Sequence, residues 1–272
     1  VRLKNFALKI IYLNVIVAIS AGLFTAGLCN LFELEKGLLY GVFSALATFS
    51  IYNLQRLYKV IDLSQTPWLK WVKQNQKLIF ILSLASGIGA FWVLINVIQL
   101  WDKRAWLLII TSSIVSVFYV LKIGGKNIRS IPFLKIHAIA FTWLIVVCVF
   151  PHFVERGVLP SVSSIAFVYC FLIAVTIPFD IRDLKYDEDY HNTIPQLVGA
   201  WWAKIIALTL FCISVFFFWL SFGDDLMFAP ILLAFATVLL LLALLNKEPS
   251  DMYCAGAIDG AIGIVGLGFL LC

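Results

Sequence analysis

The chain has 272 residues, of which 62% are hydrophobic and 13% charged, and its formal net charge is +5. Because a soluble globular domain carries about 45–50% apolar and about 25% charged residues, this composition excludes a soluble protein and predicts that the bilayer surrounds most of the chain. The positive charge does not indicate a nucleic-acid partner, since the basic residues cluster in particular loops and membrane orientation explains them first.

Continuous apolar runs, each close to the length of about 20 residues that a span requires, predict nine transmembrane helices. In chain order they lie at 10–28, 37–55, 78–100, 104–121, 132–150, 160–179, 200–221, 227–245 and 253–271. Helices are expected because backbone groups in lipid must be hydrogen-bonded within their own segment. We therefore predict an all-α polytopic membrane protein, a single domain over residues 1–272 that forms a bundle of about nine helices.

The basic residues also predict the orientation of the bundle. If the N-terminus is inside, the inner segments hold 16 lysines and arginines, and the outer loops hold four, namely Lys36, Lys103, Arg104 and Arg156. This asymmetry follows the positive-inside rule. It predicts an integral protein of the bacterial inner membrane with a cytoplasmic N-terminus and an outer C-terminus.

One inner segment, after the sixth predicted helix, is acidic instead of basic. It holds five carboxylates within ten residues: Asp180, Asp183, Asp187, Glu188 and Asp189. If the sixth helix continues through it, the three residues 180, 183 and 187 share one helix face. Carboxylates in this arrangement suit Mg²⁺, which is usually shared with substrate phosphates, although a solvated acidic helix end fits the spacing equally well. Arg182 is expected to offset the local negative charge.

The sequence DIRDLKYD at 180–187, followed by TIPQLVG at 193–199, resembles the second aspartate-rich motif of the UbiA superfamily of intramembrane prenyltransferases. The family pattern is DxxDxxxD and then a TLPxxxG-like stretch, so Ile194 replaces the usual Leu. The loop that opens at Tyr119 resembles the family's Tyr-and-Lys segment. The predicted nine helices and the acidic inner loop also agree with the family, so the resemblance is expected to cover the whole chain.

This resemblance implies an alkyl-group transferase. A prenyl diphosphate would bind through Mg²⁺, and its isoprenoid chain would pass to a lipophilic, typically aromatic acceptor, with membrane lipid around the bundle. The implied catalytic and metal-binding residues are Asp180, Asp183 and Asp187, with Asn53 as a further metal ligand. The implied diphosphate-binding residues are Asn53, Arg56, Lys122, Lys126 and Arg129. The basic residues of this set can equally be ordinary positive-inside anchors.

The first aspartate-rich motif of the family, NDxxDxxxD, is degenerate in this chain. Asn53 matches the leading Asn, but Leu54, Leu57 and Ile61 stand where carboxylates are expected. Arg56 brings a positive charge that either binds diphosphate directly or anchors the loop. Two alternatives to the enzyme therefore stay open. One is an inactive UbiA relative that binds a prenyl lipid or assists assembly, and the other, ranked last, is a transporter.

Three of the polar residues inside predicted spans are of particular interest. Asn14 and Asn53 are expected to form interhelical hydrogen bonds. Asp259 lies in the last span, where an acidic side chain is costly. It should therefore face the bundle interior, either beside a cavity or in a buried hydrogen bond.

Overall fold

The computed structural model describes residues 8–61, 67–97, 103–121, 131, 133–184, 193–223 and 228–272. Residues 8–12 are helical and precede the first long helix. The helices that follow are α1 (Val15–Leu31), α2 (Gly37–Ile61), α3 (Pro67–Gln74), α4 (Gln76–Val97), α5 (Lys103–Phe118), α6 (Leu134–Arg156), α7 (Val162–Asp183), α8 (Ile194–Phe222), α9 (Phe228–Ala243) and α10 (Met252–Leu270). The described ranges contain no strand.

The predicted all-α membrane fold is confirmed. Within the described ranges, six helices are long and apolar enough to cross a membrane, namely α2, α4, α6, α7, α8 and α10, while α1 and residues Ala229–Ala243 of α9 are shorter apolar helices. Each of the nine predicted segments overlaps one of the described helices. A count of nine crossings stays a prediction, since α1, α5 and α9 are shorter than a full span.

The short helix α3 lies outside the predicted spans and is amphipathic. Leu69 and Val72 are buried against the bundle, while Lys70 and Lys73 are exposed. This division of faces is typical of a helix that lies along a membrane surface.

Helix α8 begins earlier than the sequence predicted, at Ile194 instead of near residue 200. The backbone N–H of Thr193 donates a hydrogen bond of 2.8 Å to the side chain of Gln196, which fixes the start of the helix. Gly199 then interrupts the helix with φ 82° and ψ 159°, a conformation that favours glycine. The TIPQLVG stretch therefore forms a separate helical turn ahead of the long span.

Close backbone contacts through glycine hold α1 between α2 and α10. A Cβ on Gly22 of α1 would lie 2.9 Å from the carbonyl oxygen of Gly41 in α2, and a Cβ on Gly266 of α10 would lie 2.4 Å from the backbone of Leu23. Small residues allow helices in a membrane to pack at this range, where dispersion contacts replace the hydrophobic effect. This packing explains why the last span is rich in glycine.

Charged and polar side chains from four helices lie at one end of the bundle. At this end α2 and α7 end, and α6 and α10 begin. Salt bridges of Lys135 to Asp180 and of Arg182 to Asp251 join three of these helices. We call this end the Asp180 end. Farther into the bundle, the interior is aromatic. The fully buried rings of Phe167, Phe218 and Phe269 have centroids between 5.2 and 6.1 Å apart.

Candidate functional site

The last turn of α7 carries the two described carboxylates of the acidic segment. The helix continues past its predicted end to Asp183, so Asp180 and Asp183 lie one turn apart on it. Asp187 lies outside the described residues, so a face shared by all three carboxylates stays a prediction.

Asp180 forms a buried salt bridge with a residue that the sequence did not single out. The Nζ atom of Lys135, in the first turn of α6, lies 2.8 Å from Oδ1 of Asp180, and the two side chains are only 9% and 3% exposed. In the sequence, Lys135 lies near the inner end of the predicted span 132–150 and was counted with the inner basic residues. The available signal was its place at the start of an apolar run, where a buried charge requires a partner.

Asp183 is held by Arg182, which also reaches a third helix. Both Nε and a terminal nitrogen of Arg182 lie 2.8 Å from Oδ1 of Asp183, and the other terminal nitrogen lies 3.3 Å from Oδ1 of Asp251 in the first turn of α10. The guanidinium carbon also lies 5.2 Å from the ring centroid of Phe179. The expectation that Arg182 offsets the local acid is confirmed, and Asp251 is a partner that the sequence analysis missed.

On α2, at the same end of the bundle, Asn53 forms hydrogen bonds to uncharged groups instead of salt bridges. Asn53 is fully buried, and its Oδ1 accepts a hydrogen bond of 3.1 Å from Asn14. Its Nδ2 donates to the backbone carbonyls of Leu13 at 3.0 Å and Phe49 at 2.9 Å. The prediction that these asparagines form hydrogen bonds between transmembrane segments is confirmed, and the structure shows that they bond to each other. A role for Asn53 as a metal ligand stays a prediction.

These contacts stabilise an interruption of helical structure just before α1. Asn14 has φ 57°, in the left-handed region, where the helical stretch 8–12 ends and α1 begins. A break of this kind leaves backbone carbonyls without helical partners. Asn53 satisfies the carbonyl of Leu13, so this side chain stabilises the bend.

Arg56 also donates hydrogen bonds to backbone carbonyls at this interruption before α1. Its guanidinium donates hydrogen bonds to the backbone carbonyls of Tyr12 and of Ile11, the latter at 3.5 Å. It also lies 5.1 Å from the ring centroid of Trp68 on α3, a distance at which cation–π attraction contributes. Arg56 thus ties α2 to both neighbouring segments.

Asp259 lies in the interior between these two sides. It is 7% exposed and interacts electrostatically with Arg182 of α7 and Arg56 of α2. Within the described part of the chain, its carboxylate makes no hydrogen bond or salt bridge. The prediction that it faces the bundle interior is confirmed.

An aromatic pair lies between the charged end and the apolar interior. Nε1 of Trp143 on α6 donates a hydrogen bond of 2.7 Å to the hydroxyl of Tyr52 on α2. Tyr52 also interacts electrostatically with Asp259 and Arg56. The pair therefore links α2 and α6 directly beneath the charged groups.

The other predicted diphosphate ligands, namely Lys122, Lys126 and Arg129, lie outside the described residues. Among the described residues, no three His, Cys, Asp or Glu side chains are grouped closely enough to hold a metal. A role for Asp180 and Asp183 as Mg²⁺ ligands stays a prediction; Mg²⁺ commonly binds one or two carboxylates together with substrate phosphates. On α2, the apolar residues Leu54 and Leu57 occupy two of the places where the family pattern has carboxylates.

No sequence family model and no curated protein sequence matches the chain. Its structure is similar to that of a UbiA homologue from Archaeoglobus fulgidus, solved alone and in two complexes with Mg²⁺. The TM-scores are 0.60 for the homologue alone, 0.58 with DMAPP and Mg²⁺, and 0.61 with GPP and Mg²⁺. The sequence identities are 14%, 14% and 13%, and each match covers 96% of this chain and 99–100% of the homologue.

The likeness extends over nearly the whole length of both proteins. At this identity it shows the fold, and the resemblance to the UbiA superfamily is confirmed at that level. The chain is an integral membrane protein with the UbiA fold.

Proposed function

We propose that the protein is a UbiA-type prenyltransferase. It binds a prenyl diphosphate at the Asp180 end and transfers the isoprenoid chain to a lipophilic aromatic acceptor that enters from the bilayer. One observation carries this proposal: Asp180 and Asp183 lie in the last turn of α7, at the mouth of a bundle whose fold is that of a homologue solved with DMAPP or GPP and Mg²⁺.

The charges at this end suit a diphosphate. Three basic side chains come from three helices: Arg56 from α2, Lys135 from α6 and Arg182 from α7. Each is held by fixed partners, so the positive charge is oriented before the ligand arrives, which lowers the cost of reorganisation. When bound, Mg²⁺ would be held by Asp180 and Asp183, with Asp187 as the third predicted carboxylate, and would offset charge on the departing diphosphate.

The apolar interior suits the prenyl chain. Below the charged groups lie Tyr52 and Trp143 and then the buried phenylalanine cluster. These packed aromatic side chains exclude water, which would otherwise capture an allylic cation, and the faces of aromatic rings attract positive charge. The prenyl chain of the substrate would therefore lie along the bundle axis, with its diphosphate at the Asp180 end. The distribution of basic residues supports a cytoplasmic location for that end.

Pyrophosphate release tests the proposal. The purified protein is incubated with Mg²⁺, prenyl diphosphates of increasing chain length and a set of lipophilic aromatic acceptors. We expect release that depends on both the metal and the acceptor, with a preferred donor length. The exposed Glu248→Gln variant serves as a control that should behave like the parent protein. Absence of release from every donor, with and without acceptors, would count against catalysis.

A second candidate is a non-catalytic relative that binds a prenyl lipid. It is supported by the end of α2, where Asn53 and Arg56 donate to backbone carbonyls of residues 11–13 and where Leu54 and Leu57 replace two carboxylates of the family pattern. Tight donor binding without turnover, unchanged in Asp183→Ala, would favour this candidate over the enzyme.

A further inference from the structure

We infer that Lys135 is a diphosphate-binding residue that replaces part of the positive charge which a second metal ion would supply. This inference rests on the proposed function, because it assumes that a diphosphate binds at the Asp180 end. It adds a specific ligand residue that the sequence motif does not contain, and it predicts diphosphate binding without any metal.

The burial of Lys135 requires an explanation beyond membrane orientation. A lysine that sets topology can remain in water, as the exposed Lys70 and Lys73 do on α3. Lys135 is instead buried, with only 7% of the whole residue exposed. Removing an ammonium group from water is unfavourable unless a close opposite charge compensates it. The position is also fixed in the backbone, since α6 begins directly after Phe133, which has φ 61°.

The partner of Lys135 is the residue that the family motif would assign to a metal. Its Nζ atom lies 2.8 Å from Oδ1 of Asp180. A compact ammonium group at this distance occupies the region in which a cation bound to that oxygen would lie. The negative charge of Asp180 is thus paired with Lys135 before any metal arrives. An approaching diphosphate meets the Lys135 ammonium group beside that carboxylate.

The end of α2 explains why a fixed cation is useful here. Leu54 and Leu57 stand where the family pattern places carboxylates, so these two positions supply no ligand for a divalent ion. A lysine ammonium group can contact the diphosphate directly, without a metal ion between them. Lys204 on α8 provides a contrast, because its Nζ donates to the backbone carbonyl of Leu245 at 3.2 Å and is only half-buried.

Calorimetric titration of the full-length protein in detergent with inorganic pyrophosphate tests this inference. Each titration is carried out once with Mg²⁺ and once with excess EDTA. We expect the parent protein to bind pyrophosphate in EDTA and more tightly with Mg²⁺. Lys135→Met should weaken the binding in EDTA by about tenfold or more, since a hydrogen bond to a charged ligand is lost. Lys135→Arg should retain binding within a few-fold, and Lys204→Met should match the parent.

A separate Mg²⁺ titration distinguishes ligand binding from a structural role. Lys135→Met should bind Mg²⁺ more tightly than the parent, because Asp180 has lost its competing cation. If the variant does not fold, the double variant Lys135→Met/Asp180→Asn removes both charges of the pair, and it should still lose pyrophosphate binding in EDTA.

The inference is overturned if Lys135→Met or the double variant binds pyrophosphate in EDTA as well as the parent, or if Lys135→Met weakens Mg²⁺ binding. It is also overturned if the parent binds pyrophosphate only with Mg²⁺, a result that leaves the proposed function intact. If the parent binds no pyrophosphate under either condition, the proposed function fails as well.

Discussion

The ends of α2 and α7 occupy equivalent places in the family pattern, yet they use their polar residues differently. On α7, Asp180 and Asp183 are paired with the charged side chains of Lys135 and Arg182. On α2, Asn53 is bonded to backbone carbonyls beside a helix break. A side chain can exchange one charged partner for a ligand, but a buried carbonyl that loses its donor stays unsatisfied. The comparison supports the proposal that the binding role belongs to α7, and the contacts of Asn53 give the end of α2 a structural role.

The largest expected effect comes from Asp180→Asn, which leaves the Lys135 ammonium buried without its carboxylate. Breaking one side of a buried pair costs about 3–5 kcal/mol, so the unfolding temperature in detergent should fall by many degrees. Lys135→Met/Asp180→Asn should recover part of this loss because neither charge remains. If the single and double variants are equally stable, the pair does not contribute as described.

Asp183→Asn should act mainly on catalysis. Its contacts are less buried, with the side chain 19% exposed, so the fold should tolerate the change. Pyrophosphate release should fall by about 10²–10³-fold, the range seen when one preorganised electrostatic group is removed from an active site. The rate is measured at saturating Mg²⁺ beside Glu248→Gln. A rate close to that of the parent would remove α7 from the proposed site.

The variant Asn53→Asp tests whether the end of α2 has a structural role and not a metal-binding one. The change removes the two N–H bonds to Leu13 and Phe49 and should destabilise the protein by about 1–3 kcal/mol. It should not raise the affinity for Mg²⁺, although it adds a carboxylate. The matched control is Asn96→Asp, at an exposed asparagine that also donates to a carbonyl of its own helix. An increase in both Mg²⁺ affinity and turnover would instead identify the end of α2 as a metal site.

The smallest expected effect is that of Tyr52→Phe. This variant removes the acceptor for Nε1 of Trp143 and should cost about 1 kcal/mol, with donor affinity nearly unchanged. Tyr169→Phe, which removes a contact to His137 on an exposed surface, should cost less. Thermal unfolding in detergent measures both. A large loss of donor binding in Tyr52→Phe would place this hydroxyl in direct contact with the ligand.

The sequence was sufficient for the order of the helices, since apolar length alone determines where spans can lie. It also predicted that Asn14 and Asn53 form interhelical hydrogen bonds, because a polar group inside a span needs a partner, but it did not pair them with each other. It could not show that Lys135 is buried, because a lysine at the inner end of a span looks the same whether it faces water or the bundle. The contact of Arg182 with Asp251 likewise depends on how α7 packs against α10.

The break at Gly199 was missed for a different reason. The predicted span begins directly after Gly199, at residue 200, because hydropathy registers neither a single residue of positive φ nor the short helical turn ahead of it. The roles of Lys122, Lys126, Arg129 and Asp187 stay predictions from the resemblance, since these residues lie outside the described part of the chain.

The stoichiometry of Mg²⁺ tests the contrast between the two helix ends most directly. Calorimetric titration of Mg²⁺ into the protein, saturated with a non-hydrolysable prenyl diphosphate analogue, counts the bound ions. One ion per chain is expected, lost in Asp183→Asn and retained in Asn53→Ala. Two ions per chain, or a single ion that is lost with Asn53, would contradict the assignment of binding to α7 and structure to α2.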